Sequence, residues 1–173
     1  MKGLKLAVVI LALGTIAISP KAHAKSLSNT RQIFISQVTA PLPNSQDEKT
    51  NDAKAYLERG FERFDKKDYH GAIEYFNQVL KIEPNNAYAH VGRGVASFFL
   101  EEYQAAKADL DKALEITPDI AHAYYFRGFT NYLLKDKQGA IADLQKASAL
   151  YKKEGKPDLA QNANNAIQKI EAS

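Results

Sequence analysis

The chain has 173 residues, of which 45% are hydrophobic and 25% are charged, and this is enough for one domain with a buried core. Its net charge of +3 reflects 23 basic and 20 acidic residues, too weak an excess for a strongly basic nucleic-acid-binding protein. The absence of cysteine excludes disulfides, a cysteine nucleophile and a lipid attached to an N-terminal cysteine.

The first 24 residues have the features of a secretory signal peptide in the required order. Lys2 and Lys5 precede an apolar run over residues 6–18, and the sequence AHA at 22–24 is a cleavage site of small residues. The run is too short to cross about 30 Å of hydrocarbon as a helix. We therefore expect cleavage after residue 24, export to the periplasm or another extracytoplasmic compartment, and no membrane span in the mature chain. An uncleaved membrane anchor is the alternative.

The signal segment also accounts for the positive charge. It contains Lys2, Lys5 and Lys21 and no acidic residue, so the rest of the chain has equal numbers of basic and acidic residues. A neutral chain has no electrostatic footprint for nucleic acid, and we expect no nucleic-acid partner. The lack of cysteine also suits an oxidising compartment.

Residues 25–50 are rich in Ser, Thr, Asn, Gln and Pro and show no helical or strand period. This composition predicts a mostly disordered tail or linker. One apolar cluster, Ile33-Phe34-Ile35, interrupts it, and a solvated linker does not need such a cluster.

From residue 53 onward the sequence repeats itself with a period of 34 residues. Small residues and prolines recur in phase, together with apolar residues at helical spacing. The columns that define the register are Gly60, Gly94 and Gly128; Ala72, Ala106 and Ala140; and Pro84 with Pro118. Each unit is predicted to be two antiparallel helices, so the fold class is all-α. A single unit cannot bury its apolar face, and the units are expected to stack.

The residue types in these columns explain the predicted hairpin. The glycines let the two helices of a unit approach, and the alanines seat the neighbouring helix, because larger side chains would strain the packing. The prolines end the second helix of their unit, since proline has no N–H for the helical ladder. Asn85-Asn86 and Asp119 are then expected to cap the first helix of the next unit.

This pattern closely resembles the tetratricopeptide repeat, which has the same period and the same columns of small residues. The resemblance covers residues 53–154 and implies a short right-handed superhelical solenoid of three helix-turn-helix repeats. The implied repeats are 53–86, 87–120 and 121–154.

Two departures from the family pattern are informative. The bulky residue that the family tends to place early in the first helix is Tyr56, His90 or Tyr124 here. The third repeat has Lys152 in place of the proline, so its second helix is expected to run on to about residue 153.

Residues 157–171 have the apolar spacing of one further amphipathic helix. Leu159, Ala163, Ala166, Ile167 and Ile170 share one face, with polar residues opposite. Repeat arrays need a terminal element with a polar outer face, so this segment is predicted to cap the stack.

The residue before each glycine of the register is an arginine. In the second and third repeats an aspartate follows 16 residues later on the partner helix, which predicts the ion pairs Arg93 with Asp109 and Arg127 with Asp143. Tyr75 takes that place in the first repeat. Arginines that are buried or half-buried are usually paired, so structural ion pairs are favoured over the alternative of an anion-binding ladder.

No pattern in the sequence indicates a cofactor, a metal or a catalytic site. His70, His90 and His122 are the histidines after the signal segment, and none has metal-ligand spacing to another. His90 is expected to fill the packing place of the tyrosines in the sister repeats. The chain also lacks a nucleophile elbow and a phosphate-binding glycine loop, so a non-enzyme is predicted.

The resemblance implies where a partner binds, because the first helices of successive tetratricopeptide repeats line a concave groove. Rigid aromatic side chains are well suited to interface hot spots, and Phe61, Phe126 and Phe129 are the expected exposed anchors. The predicted groove residues are Leu57, Phe61, Tyr88, Val91, Val95, Phe99, Tyr125, Phe126, Phe129 and Leu133.

The same positions argue against one ligand class of the family. Tetratricopeptide domains that hold chaperone C-terminal carboxylates use Lys, Asn and Arg side chains on the first helices. The matching places carry Leu57, Phe61, Gly92, His122 and Phe126 here. Without those donors, an apolar extended or helical peptide is the expected ligand.

These features predict a non-catalytic scaffold or adaptor of the bacterial envelope, which holds a protein or peptide partner in an aromatic groove. The alternative is a self-associating module, because an exposed aromatic patch is stabilised when another apolar surface buries it. Either two copies form a homodimer through their grooves, or Ile33-Phe34-Ile35 covers the groove of its own chain.

Overall fold

The computed structural model describes residues 47–173, with side chains from residue 51 onward. The predicted signal peptide and the cluster at 33–35 lie outside this range. The described part forms seven helices and no strand, which confirms the all-α fold class. The helices are α1 Asp47–Asp65, α2 Tyr69–Ile82, α3 Ala87–Phe99, α4 Tyr103–Ile116, α5 Ala121–Leu133, α6 Lys137–Lys153 and α7 Pro157–Glu171.

The helices form a solenoid of three hairpins and one terminal helix. Helix α1 packs on α2, α3 on α4 and α5 on α6, and the second helix of each hairpin packs on the first helix of the next. The first helices of neighbouring hairpins also contact each other. Because each hairpin contacts mainly its neighbours, the buried residues form three clusters along the array rather than one core around a centre.

The small residues of the register lie in the seam inside each hairpin. A Cβ atom added to Gly60 would lie 2.6 Å from Cε1 of Phe76, and one added to Gly128 would lie 2.8 Å from Cγ of Leu144. Real Cβ atoms do not approach so closely, so any larger residue would push the helices apart. The alanine column, which is fully buried, comprises Ala72, Ala106 and Ala140.

The turn inside each hairpin has the same backbone geometry. In the first hairpin, the N–H of Lys67 donates to the carbonyl of Phe64 at 2.8 Å, and the N–H of Asp68 donates to that of Arg63 at 2.9 Å. This is the paired bonding of a Schellman motif, which places one residue in the left-handed region. Gly155 forms the same turn after α6. The left-handed residues within the hairpins are Lys67, Glu101 and Lys135, with φ of 60°, 62° and 72°.

The first and last hairpins extend beyond an average repeat. Helix α1 begins at Asp47 rather than near Ala53, so residues 47–50 belong to the helix and not to the predicted tail. Helix α6 ends at Lys153, where the expected proline is missing and the turn at Gly155 stops it instead.

The two joints between hairpins are capped differently. Pro84 and Pro118 each lie two residues after a second helix ends, at Ile82 and Ile116. Asn86 caps α3, because its side chain accepts a hydrogen bond from the N–H of Ala89 at 2.9 Å. The expectation that Asp119 caps α5 is wrong. The residue before α5 is Ile120, which makes no capping bond and is instead buried in the core.

Helix α7 covers the outer side of α6 with small residues. Its buried side chains are Ala160, Ala163, Ala166 and Ile170, and Ile167 is half-buried beside them. Gln161, Asn162, Asn165 and Gln168 are exposed on the opposite face. The end of the array therefore presents polar groups to solvent.

Candidate interaction surface

A continuous chain of aromatic rings crosses the first helices of the three hairpins. Phe64 of α1 meets Phe99 of α3 edge to face, with ring centroids 5.6 Å apart. Phe99 meets Phe126 of α5 at 6.1 Å. Phe98 and Tyr125 each lie 5.6 Å from Phe126. The rings therefore link all three hairpins on the side formed by α1, α3 and α5.

Beside this chain of rings lie side chains that keep part of their surface exposed, and we call them together the first-helix face. They lie on α1, α3 and α5, and none of the eight is charged, although the α1 positions equivalent to Tyr88 and Phe99 carry Lys54 and Asp65. The first-helix face consists of Phe61, Tyr88, Phe98, Phe99, Tyr125, Phe129, Tyr132 and Leu133. Six of these eight residues belong to the groove predicted from the sequence.

Four other predicted groove residues are buried and do not line a surface. Leu57, Val91, Val95 and Phe126 are exposed by only 6%, 3%, 5% and 5%. They belong to the core because neighbouring first helices contact each other at these positions. The expectation that Phe126 is an exposed anchor is therefore wrong.

The other two expected anchors, Phe61 and Phe129, are half-buried. Phe61 stands edge-on to Phe76, with centroids 5.2 Å apart. Phe129 stands edge-on to Tyr125 at 4.9 Å. Each ring is thus held in place on one side, which reduces the entropy lost on binding.

Burial raises the pKa of Tyr125 on this face and of its neighbour Tyr151. Burial raises the pKa of Tyr125 to about 12. Burial, with Tyr125 and Glu154 nearby, raises the pKa of Tyr151 well above its ordinary value. Both phenols are therefore neutral at physiological pH and contribute no charge to the surface.

A ring outside the predicted groove lies on the core side of this face. Phe76 of α2 is fully buried and lies between two glycines of different repeats. A Cβ atom on Gly60 would lie 2.6 Å from its ring, and one on Gly92 would lie 2.5 Å from it. Gly92 is outside the glycine column, so only its neighbour in space explains it.

The two predicted ion pairs are present. Arg93 binds Asp109 through two parallel hydrogen bonds, of 2.7 Å from Nε and 2.6 Å from Nη2. Arg127 binds Asp143 in the same way, at 2.8 and 2.6 Å. The bonds to Asp143 are the main reason that the pKa of Arg127 lies above its usual value, and burial opposes that shift. Both arginines are thereby occupied within the fold.

Each of these arginines also reaches back to the preceding repeat, which the sequence analysis missed. Nη1 of Arg93 donates to Oδ1 of Asn77 at 2.6 Å, and Nη1 of Arg127 donates to Oδ1 of Asp111 at 2.8 Å. Asn77 and Asp111 are one period apart, so the register could have revealed them. These bonds tie neighbouring hairpins together, and they leave no free ladder of cations for an anion.

His90 is more than a packing residue. It is buried, and its Nδ1 lies 3.0 Å from Oδ1 of Asp109 while its Nε2 lies 3.1 Å from the carbonyl of Pro84. The carboxylate of Asp109 and the carbonyl can only accept, so a neutral ring can donate to one of them at a time. His90 thus connects the first joint to the carboxylate that holds Arg93.

Two absences hold for residues 47–173. No group of three or more histidines and acidic residues in that range converges on a point that could hold a metal ion. No helix there combines the length and the apolar character needed to cross a membrane.

Sequence comparison identifies two of the hairpins. A family model described as tetratricopeptide repeat matches residues 53–86, and a second model with the same description matches 87–120. Residues 121–154 contain the third hairpin of the structure. Comparison with curated protein sequences finds no match.

Comparison with solved structures finds tetratricopeptide domains. The TPR2B domain of yeast Sti1, from its complex with pHsp70, is 23% identical with a TM-score of 0.66 over 70% of this chain and 97% of that one. The first TPR of Spaghetti (RPAP3), bound to the HSP90 peptide SRMEEVD, is 23% identical with a TM-score of 0.64 over 70% and 92%. MamA is 24% identical with a TM-score of 0.54 over 70% and 80%. At these identities the likeness establishes a shared fold.

Proposed function

We propose that this array of tetratricopeptide repeats is a non-catalytic scaffold or adaptor, which binds an apolar segment of a partner protein on its first-helix face. We assign this role to the bacterial envelope, most simply to the periplasm, and the signal-like N-terminus supports that assignment. Tetratricopeptide domains are protein-interaction modules, and one similar domain is bound to a peptide of HSP90.

The observation that supports this proposal is the composition of the first-helix face. Its side chains are partly exposed, uncharged and mostly aromatic, and they extend across all three hairpins. Aromatic side chains bury a large area at small entropic cost, and contiguous apolar surface on a soluble domain commonly marks an interaction site. The two arginines that could bind an anion are instead saturated by carboxylates and an amide.

The face favours an apolar ligand over a charged one. A free terminal carboxylate needs cationic or amide donors on the first helices, and Leu57, Gly92 and Phe126 occupy three of the matching places as buried residues. An internal segment with two or three apolar anchors can instead pack against Phe61, Phe99 and Phe129.

A photo-crosslinking amino acid at Leu133 tests this function. Leu133 lies at the edge of the first-helix face, so ultraviolet light should link the protein to its partner in bacterial cells. The same group at Ala142, which is exposed on α6, is the matched control. We expect adducts from position 133 at least tenfold more abundant than from 142, and their loss when Phe129→Glu is added.

The variants need a check on folding, because Phe129 is half-buried. Phe129→Glu should keep the helical circular dichroism of the parent, and Ala142→Glu should keep both the dichroism and the adducts. Equal adducts from positions 133 and 142, or adducts that survive Phe129→Glu, would refute binding at this face.

A further inference from the structure

We propose that Ile33-Phe34-Ile35 binds the first-helix face of its own chain, and that a partner must displace it. The part concerning displacement rests on the proposed function, whereas the intramolecular contact stands on its own. The triplet lies outside the described residues, so the inference is made from the face, from the sequence and from the length of the chain between them.

The first reason is the match in polarity. The first-helix face carries no charge, and neither does any residue from Gln32 to Gln46. The outer side of α1 is different, because Glu62, Arg63 and Lys66 are exposed there. Burying an uncharged segment against the face avoids the desolvation of charges, which would be costly on the outer side.

The second reason is the position of the triplet within its surroundings. Residues 25–50 are otherwise rich in polar residues and proline. Exposure of the apolar side chains of Ile-Phe-Ile to water is unfavourable, so the triplet is stabilised by burial. Each of these apolar side chains stabilises a contact when it is buried, because its surface is removed from water. The first-helix face is apolar surface of the kind that can bury them.

The third reason is reach. Residues 36–46 separate Ile35 from Asp47, the first residue of α1. An extended chain of that length spans about 35 to 40 Å, at 3.3 to 3.6 Å per residue. Phe61 lies about 21 Å along α1 from Asp47, at 1.5 Å per residue. The segment is thus long enough to turn back and place Ile33-Phe34-Ile35 on Phe61 and on the neighbouring first helices.

Tethering makes such a contact effective even when it is weak. A short flexible linker holds its ligand at an effective concentration in the millimolar range. A contact with a dissociation constant near that range would therefore be about half occupied. A partner then binds only when its own affinity and concentration exceed this internal competitor, which protects the aromatic surface between encounters.

Disulfide trapping tests the contact directly, because the natural chain has no cysteine. Ile35→Cys is combined in the full chain with Phe61→Cys or, in a second variant, with Leu133→Cys. The control pairs Ile35→Cys with Glu74→Cys, which is exposed on α2. Under mild oxidation we expect at least one face variant to form an intramolecular disulfide tenfold faster than the control.

Two outcomes would overturn the proposal. Equal rates for both face variants and the control would mean that the segment has no preference for the face. Disulfides found only between two chains, at twice the monomer mass, would mean that the face binds a second copy instead. Leu133→Cys serves as the independent arm if Phe61→Cys destabilises α1.

A second measurement separates this proposal from the proposed function. Phe34→Asp should raise the yield of partner adducts at position 133 about twofold, because it frees a face that is otherwise about half occupied, whereas the matched charge change Gln37→Asp should not. Unchanged adducts with Phe34→Asp would overturn competition while leaving partner binding intact. If neither the parent nor Phe34→Asp gave adducts at position 133, while the disulfide between residue 35 and the face still formed, partner binding alone would be refuted.

Discussion

The two joints between hairpins, where α2 packs on α3 and α4 packs on α5, place their large and small side chains on opposite helices. In the first joint, α2 provides the large ring of Phe76 and α3 makes room for it with Gly92. One period later, α4 provides the smaller Leu110, and α5 has the large Phe126 at the position of Gly92. All of these side chains belong to the same buried core. The volume lost on one helix is therefore regained on the other.

The polar bonds of the two joints differ in the same compensating way. Arg93 in the first joint binds one aspartate and the neutral Asn77, and His90 adds a further bond to Asp109. Arg127 in the second joint binds aspartates on both sides, and Asn131 takes over the extra bond, to Asp143. The residues of one joint therefore compensate for one another, so each residue must be interpreted together with the residues that it contacts.

The largest change in the free energy of unfolding is expected when the large and small side chains at positions 76 and 92 of the first joint are exchanged. Gly92→Phe should lower the free energy of unfolding by about 3 kcal/mol or more, because the new ring would overlap Phe76. Phe76→Leu alone should cost about 1 to 2 kcal/mol through the space it leaves. Together they recreate the pair of the second joint. Urea unfolding should then show the double variant at least about 1 kcal/mol more stable than the sum of the two losses. Strictly additive losses would contradict volume compensation.

A smaller effect should distinguish the charges of the two joints. Asp109→Ala leaves Arg93 with only the neutral Asn77 and removes a partner of His90, so we expect a loss of about 3 kcal/mol. Asp143→Ala also removes the partner of Asn131, but it leaves Arg127 its ion pair with Asp111, and the loss should be nearer about 2 kcal/mol.

The control for both aspartate variants is Asp119→Ala, at an exposed position that caps no helix. Its free energy of unfolding should match that of the parent within about 0.5 kcal/mol, the scatter that is usual for surface changes. If Asp143→Ala also left the midpoint unchanged, the pairs would not stabilise the joints.

The smallest effect concerns the turns, which are alike in all three hairpins although the joints differ. Glu101 has a φ of 62°, in a region that favours glycine. Glu101→Gly should therefore raise the free energy of unfolding by about 0.5 to 1 kcal/mol, and Gly155→Ala should lower it by a similar amount. Glu102→Gly, one residue later and outside that region, should bring no gain. A loss with Glu101→Gly would show that its side chain matters more than its backbone.

The fold could be predicted from the sequence because its main determinants are local and periodic. Gly60, Gly94 and Gly128 recur at one spacing, and each is needed where two helices of the same hairpin approach. The cap of α5 could not be predicted in this way. Asp119 has the residue type of a cap, but the adjacent Ile120 is drawn into the core, and burial of that side chain outweighs a capping bond.

The candidate surface was predictable only in part. Helical spacing places Phe126 and Phe129 near each other on α5 but cannot tell which of them an adjacent helix covers. Phe126 is covered by Phe98 and Phe99 of α3, whereas Phe129 remains partly exposed. The role of Gly92 was invisible for the same reason, because the ring it accommodates belongs to another repeat.

The sequence by itself determined the repeating hairpin, its seams of small residues and the pairing of Arg93 and Arg127 within their own repeats, since all of these depend on spacing along one or two neighbouring helices. Only the tertiary structure decided which aromatic rings are core and which are surface, and which residues bridge one repeat to the next. Those outcomes depend on how closely adjacent hairpins approach, and that distance is set jointly by side chains far apart in the sequence.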